Sequence, residues 1–185
     1  MTLLTRKQHQ RRSVQLTACC LPVLLPAVVN VAHATVFLSI EQAQAEIFPG
    51  VALRPRIIVL RTDQVEKIST QCNSPVTNRI VRLWQGPAGE TFIIDTVLGK
   101  HELITYALGI KPPGIIQHLE ILEYKEHYGM EIRNAAWRQQ FSGKTLQEAP
   151  HLGQQIAIIS GATLSSRHLT EGIQRVLCTY ALLFP

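Results

Sequence analysis

Residues 79–124 read RIVRLWQGPAGETFIIDTVLGKHELITYALGIKPPGIIQHLEILEY, and this stretch decides the fold. Four apolar, β-rich runs lie within it: Arg79–Gln85, Thr91–Val97, Glu102–Ile110 and Ile115–Tyr124. Gly86-Pro87-Ala88-Gly89 reads as a hairpin turn between the first two, and Lys111-Pro112-Pro113-Gly114 as a reverse turn before the fourth. The pattern is an antiparallel meander, not an alternation of strands and helices. Working outward, Ser39-Ile40-Glu41-Gln42 has the form of a capping box, opening a short helix that stops at Pro49-Gly50. A β-rich run, Arg56–Arg61, follows, and Thr62 is placed to cap a second short helix carrying Val65 and Ile68. On the other side, a loop from Glu126 to Asn134 leads to a helix bearing Trp137 and Phe141, ended by Gly143. A short strand at Gln155–Ile159, a turn at Ser160–Thr163 and a helix from Leu164 to Leu182 complete the chain. Leu169, Ile173, Val176, Leu177 and Tyr180 recur there at helical spacing. The expected class is α+β, with one domain over residues 35–185.

The charge is unevenly placed. The 185 residues carry 18 Lys and Arg against 13 Asp and Glu, a formal net charge of +5. From Thr35 onward the count is 14 against 13, so nearly all the excess sits in Arg6, Lys7, Arg11 and Arg12. Those cations precede an uncharged run from Ser13 to Ala34 that closes on Ala32-His33-Ala34. Basic start, apolar middle and small-x-small close form the grammar of an export signal, predicting cleavage after Ala34. The expected location is the periplasm or the outer face of the cytoplasmic membrane. An uncleaved anchor is the alternative, disfavoured by Pro22, Pro26, Asn30 and His33 in the run. A near-neutral mature domain gives no case for nucleic acid. A hydrophobic content of 46% with 17% charged residues excludes global disorder.

Cys19 and Cys20 fall in the leader, leaving Cys72 and Cys178, which either pair or serve as small buried apolar residues. No Cys-x-x-Cys or His/Cys cluster supports zinc, an iron–sulfur centre or covalent haem. His118 and Glu120 alternate on a strand without a third ligand and read as solvated. No nucleophile motif of the G-x-S-x-G or S-x-x-K kind is present.

Chemistry concentrates in Ile158-Ile159-Ser160-Gly161-Ala162-Thr163-Leu164-Ser165-Ser166. An apolar segment enters a turn of small residues, and a long helix leaves it. Free N–H groups at the positive end of such a helix suit a phosphate. Gly161 and Ala162 permit close approach, and Thr163, Ser165 and Ser166 add hydroxyls. From the residues alone, a plain helix cap by Ser160 or Thr163 is the commoner use of this pattern.

Ser160-Gly161-Ala162-Thr163 resembles the S-G-A-T flavinylation motif of the FMN-binding domain family. That family includes a flavin-bearing component of the sodium-pumping NADH:quinone oxidoreductase and its counterpart in the related ferredoxin-linked electron-transport complex. Val97–Glu102, Glu126-x-x-Gly129 and Trp137-x-x-x-Phe141-x-Gly143-Lys144 extend the resemblance from about Arg79 to the C-terminus, as a small exported single-domain branch. The resemblance implies a twisted antiparallel half-barrel packed with helices. It also implies FMN carried on Thr163 through a phosphoester installed by a flavin transferase, with membrane redox proteins as electron donor or acceptor. Ser160, Gly161, Ala162, Leu164 and Ser165 would frame the attachment, and Glu126 and Gly129 would lie against the flavin. One position departs: Ala157 stands where the motif usually has Asp, three residues before the serine. Trp137 and Phe141 read as core, and Lys144, Arg167 and Arg175 as cations within reach of a phosphate, Arg167 best placed. A flavin-free binding or sensory module and a small flavin reductase are the alternative uses of the same fold.

Overall fold

The computed structural model describes residues 35–125 and 129–185. The leader expected over 1–34 and the site candidate Glu126 lie outside the described residues. In chain order the elements are β1 (Thr35–Val36), α1 (Ile40–Ile47), β2 (Arg54–Val59), α2 (Thr62–Cys72), β3 (Ile80–Gln85) and β4 (Thr91–Leu98). Then come β5 (Leu103–Lys111), β6 (Ile115–Tyr124), a 3₁₀ turn at Met130–Arg133, α3 (Ala135–Gln139) and α4 (Thr163–Leu183). The expected meander is present. β2 to β6 pair in sequence, antiparallel throughout, and β1 adds a two-residue edge beside β6. The fold is α+β, an open antiparallel sheet with helices on both faces.

Local chemistry sets the helix starts. Ser39 Oγ accepts from Gln42 N–H while Gln42 Oε1 accepts from Ser39 N–H, so the capping box forms as its sequence predicts. The second helix begins one residue earlier than expected. Arg61 occupies the cap position and its N–H donates to Gln64 Oε1, making Thr62 the first helical residue.

Each face of the sheet has its own core. On one side Leu83, Ile93, Val97, Ile104, Tyr106 and Leu108 pack beneath Leu169, Ile173, Val176 and Leu177 of α4. Each large apolar side chain removed from water there contributes about 1.5–3 kcal/mol. On the other side α1 places Ala43 and Ile47 over Phe92, Ile94, Ala107 and Leu122. α2 packs against α4 through Ile68 and Cys178, which cluster with Leu60 from the segment before α2. Cys72 and Cys178 form a disulfide, which settles the open choice between pairing and separate burial.

Two polar clusters are built into this frame. Tyr106 Oη donates to Asp95 Oδ2 at 2.9 Å, and Arg175 donates to the same oxygen at 2.7 Å, so β5, β4 and α4 meet on one carboxylate. Glu120 is buried rather than solvated as expected, paired with Arg138 of α3 and, at 2.7 Å, with His118. The sequence pattern could not reveal α3 lying over this part of β6. No group of His, Cys, Asp and Glu able to hold a metal occurs among the described residues.

Candidate functional site

The turn that precedes α4 differs from the expected strand–turn–helix. Gln155–Ile159 is not a strand; only an isolated bridge links Leu152 to Ile156. The reason lies in α3. Trp137 Nε1 donates to the Ala157 carbonyl at 2.7 Å, and Ala157 N–H donates to Gln140 Oε1 at 2.9 Å. Both main-chain groups of Ala157 are therefore satisfied by side chains, leaving nothing for a neighbouring strand at that residue. Trp137 is buried and edge-on to Phe141, core as expected, but its indole N–H also fixes the segment leading into the turn. α3 ends at Gln139, so Phe141 lies just beyond it rather than within it.

Ser160 and Gly161 form the exposed turn, Gly161 at φ +85° with no atom within 4 Å of where a side chain would begin. Ala162 is buried and occupies the cap position of α4, and its own side chain makes no capping hydrogen bond. Neither Ser160 nor Thr163 occupies that cap position. Thr163 is the first helical residue and is exposed; Leu164 follows, 42% exposed. Ser165 and Ser166 turn inward, the Ser166 hydroxyl donating to the Thr163 carbonyl at 3.1 Å. A 21-residue helix therefore brings its positive end beside two exposed hydroxyl residues, Ser160 and Thr163, of which Thr163 opens the helix.

Gly129 closes the other side. It sits at φ +85°, and a Cβ there would come within 2.6 Å of Tyr124 Oη, 3.1 Å of Ala162 Cβ and 3.5 Å of Ser165 Oγ. The structure thus brings the Gly129 loop onto the Ser160–Ser165 turn, uniting candidates more than thirty residues apart. Gly129→Ala places a side chain in a left-handed conformation and into occupied space, and is expected to cost about 2 kcal/mol. Urea denaturation tests this; a loss below about 0.5 kcal/mol would mean the loop is not seated on the turn.

Three participants escape sequence reasoning. Tyr124, buried at the end of β6, lies with its hydroxyl 3.5 Å from Ser165 Oγ. Gln140 holds Ala157. His168 Nδ1 donates to the Leu98 carbonyl at 2.7 Å, pinning the β4–β5 turn to α4 five residues after Thr163. None of these contacts joins sequence neighbours, and no local spacing signals them. Of the cations expected near a phosphate, Arg175 is committed to Asp95. Arg167 lines a groove with His151, Thr170, Glu171 and Gln174, on the helix stripe that includes Thr163 at i−4.

The comparisons fall on the same part of the chain. Residues 99–178 match the model of the FMN-binding domain. Over this segment the chain is similar to the FMN-binding domain family. The match opens at the β4–β5 turn and closes in α4, so it takes in Gly129, α3 and the whole Ser160–Ser165 turn. The fold also superposes on the crystal structure of Shewanella oneidensis NqrC with a TM-score of 0.53 at 13% identity, covering 75% of this chain and 84% of that one. At that identity the likeness concerns the fold. No curated protein matches the chain. The match begins after β1, α1, β2, α2, β3 and β4, although β1, β2, β3 and β4 belong to the same sheet as the matched β5 and β6.

Proposed function

We propose that the chain is an exported flavoprotein that carries electrons, with FMN joined through its phosphate to the Thr163 hydroxyl. The observation that carries the reading is the exposed Thr163 at the start of α4, within the segment that matches the FMN-binding domain. The residues fit the group. Main-chain N–H groups at the helix start offer donors to a phosphate, and the space around Gly161 is open. Met130, Ile158 and Leu164, 45%, 56% and 42% exposed around the turn, offer an apolar surface to a flat ring. FMN would supply one- or two-electron redox chemistry at this turn. The protein's own share is positional. Trp137 and Gln140 hold the approach to the turn, Gly129 and Tyr124 back it, and α4 orients Thr163 outward.

Export would bring the domain to the flavin transferase and to membrane redox proteins acting as electron donor or acceptor. A covalent link would keep the cofactor where none could be replaced from the cytoplasm. At Ala157, in place of the usual Asp, Trp137 and Gln140 hold the main chain by its carbonyl and N–H. The reading is tested by co-expressing wild type, Thr163→Ser and Thr163→Ala with a flavin transferase and scoring flavin fluorescence after denaturing electrophoresis. Wild type is expected to fluoresce and Thr163→Ala to be dark. Thr163→Ser, which keeps a hydroxyl, should retain part of the signal. Fluorescence undiminished in Thr163→Ala would move the attachment elsewhere, and dark, colourless protein throughout would favour a flavin-free binding module.

A further inference from the structure

The connector between β6 and α4 reaches both faces of the sheet. Glu120 pairs with Ala107 and Ala107 with Ile94, so Glu120 lies on the face that α1 covers. Trp137 packs instead into the core beneath α4, with Ile132 and Phe141. Two neighbours on α3, Trp137 and Arg138, therefore address opposite faces.

α3 has only five residues, and a helix so short holds no fixed place by itself. Asn134 Oδ1 caps it, accepting from the Ala136 N–H at 2.9 Å, and Arg133 stacks on Phe37, 3.4 Å from the ring centre. Gly143 and Lys144 end the connector on the two main-chain groups of Ile116. Its charged anchor is Arg138, whose Nη1 donates to Glu120 Oε2, while Glu120 Oε1 meets His118 Nε2 at 2.7 Å. The Arg138 and Glu120 side chains are only 13% and 5% exposed, and Arg138 Nε is buried with no acceptor among the described residues. An ion pair buried with one donor unmet is a weak source of stability. It is directional, however, and sets where α3 sits, which the apolar packing of Trp137 and Phe141 does not.

We propose that Arg138 and Glu120 are positioning residues for the Thr163 hydroxyl, acting through α3 from the face of the sheet opposite α4. The pair sets α3, and α3 with the residue after it supplies Trp137 and Gln140. These hold both main-chain groups of Ala157, in the segment that runs into Thr163. The inference rests on the reading of Thr163 as the flavin acceptor. In that reaction the Thr163 oxygen attacks the flavin-side phosphorus of a flavin dinucleotide. The new O–P bond replaces the pyrophosphate P–O bond, a nucleoside monophosphate leaves, and the hydroxyl proton passes to solvent. Misplacing the attacking oxygen by about 1 Å can slow such a step about a hundredfold.

The test gives the full chain to a flavin transferase with flavin dinucleotide and measures kcat and KM for the acceptor protein. Amide hydrogen exchange over residues 157–163 is followed beside it in the unmodified protein. Arg138→Gln and Glu120→Gln are expected to lower kcat about tenfold with KM little changed, and to speed exchange in that segment about tenfold. Arg138→Lys, which keeps the charge, should recover part of both. Trp137→Phe removes the indole donor, and combining it with Arg138→Gln should slow transfer no further than the slower single variant, because both act along one path. Arg175→Ala, which breaks the separate pair with Asp95, is the stability control and should transfer at the wild-type rate. Circular dichroism verifies each fold; should Arg138→Gln not fold, Glu120→Gln decides. Unchanged kcat or exchange in the Gln variants, additive losses in the double variant, or an equal loss in Arg175→Ala would overturn the inference and leave Thr163 as the acceptor. No transfer to wild-type Thr163 would overturn the proposed function, and this inference with it.

Discussion

Replacing both Cys72 and Cys178 by Ala is expected to lower the stability of the oxidised protein by about 3–4 kcal/mol, with a correspondingly earlier urea midpoint. The bond joins residues 106 apart, connecting the end of α2 to the last third of α4. A cross-link of that span removes a large share of the unfolded chain's freedom, which sets an upper figure of about 4.7 kcal/mol. Cys178 is buried with Leu60 and Ile68, and its loss to Ala also opens a small void. The helix so tethered is the one that begins at Thr163, so slackening its far end tests how firmly the candidate site is supported. Reduction of the wild type should reproduce most of the effect without any void. A loss below about 1 kcal/mol in both experiments would show that α2 and α4 hold together without the bond. A structural disulfide of this kind persists in an oxidising compartment, which the proposed export would supply.

Arg175→Ala is expected to cost about 2–4 kcal/mol. Arg175 donates to Asp95 at 2.7 Å and to Ser74 Oγ at 3.2 Å, and its side chain is 11% exposed. Burial opposes its charge, but Asp95, Tyr106 and Glu171 outweigh that and raise its pKa. Removing it leaves Asp95 with the Tyr106 hydroxyl and a partial view of solvent, being 25% exposed, so the cost falls short of a fully buried orphan charge. The double variant Arg175→Ala/Asp95→Ala should cost less than the sum of the single ones, because the two residues share one interaction. Strict additivity would contradict the ion pair.

The same cluster governs the alkaline limit. Burial, reinforced by the neighbouring Asp95, pushes the Tyr106 hydroxyl well above the ordinary tyrosine range. A raised pKa in the folded state means its contribution is complete below the unfolded tyrosine pKa, about 10, and fades as pH climbs from there toward the folded value. Tyr106→Phe should therefore flatten the fall in melting temperature above that pH, while lowering stability near neutrality through the lost bond to Asp95.

Much of the architecture was legible because it depends on local pattern. The four runs between Arg79 and Tyr124 became β3 to β6, shifted by a residue at some ends, since Gly/Pro turns and β-rich runs leave few other choices. Ser39 and Gln42 capped α1 as written. Gln155–Ile159 misled because an apolar, β-branched run normally seeks a strand, whereas here the distant Trp137 and Gln140 claim its backbone. Glu120 looked solvated because nothing in its neighbourhood announces Arg138, eighteen residues away. The S-G-A-T turn and Gly129 were individually readable as motifs. Their contact, Gly129 against Ala162 and Ser165, belongs to the fold and to no sequence interval. The wider candidate site, Tyr124 and His168 included, was invisible for the same reason.

Whether Thr163 carries FMN is addressed most directly by intact-mass analysis of the wild-type protein produced with and without a flavin transferase. An FMN-sized addition is expected only when the transferase is present, with fragmentation assigning it to Thr163 within the peptide spanning Ser160 and Arg167. An unmodified mass under both conditions, or an addition that maps to another residue, would contradict the assignment.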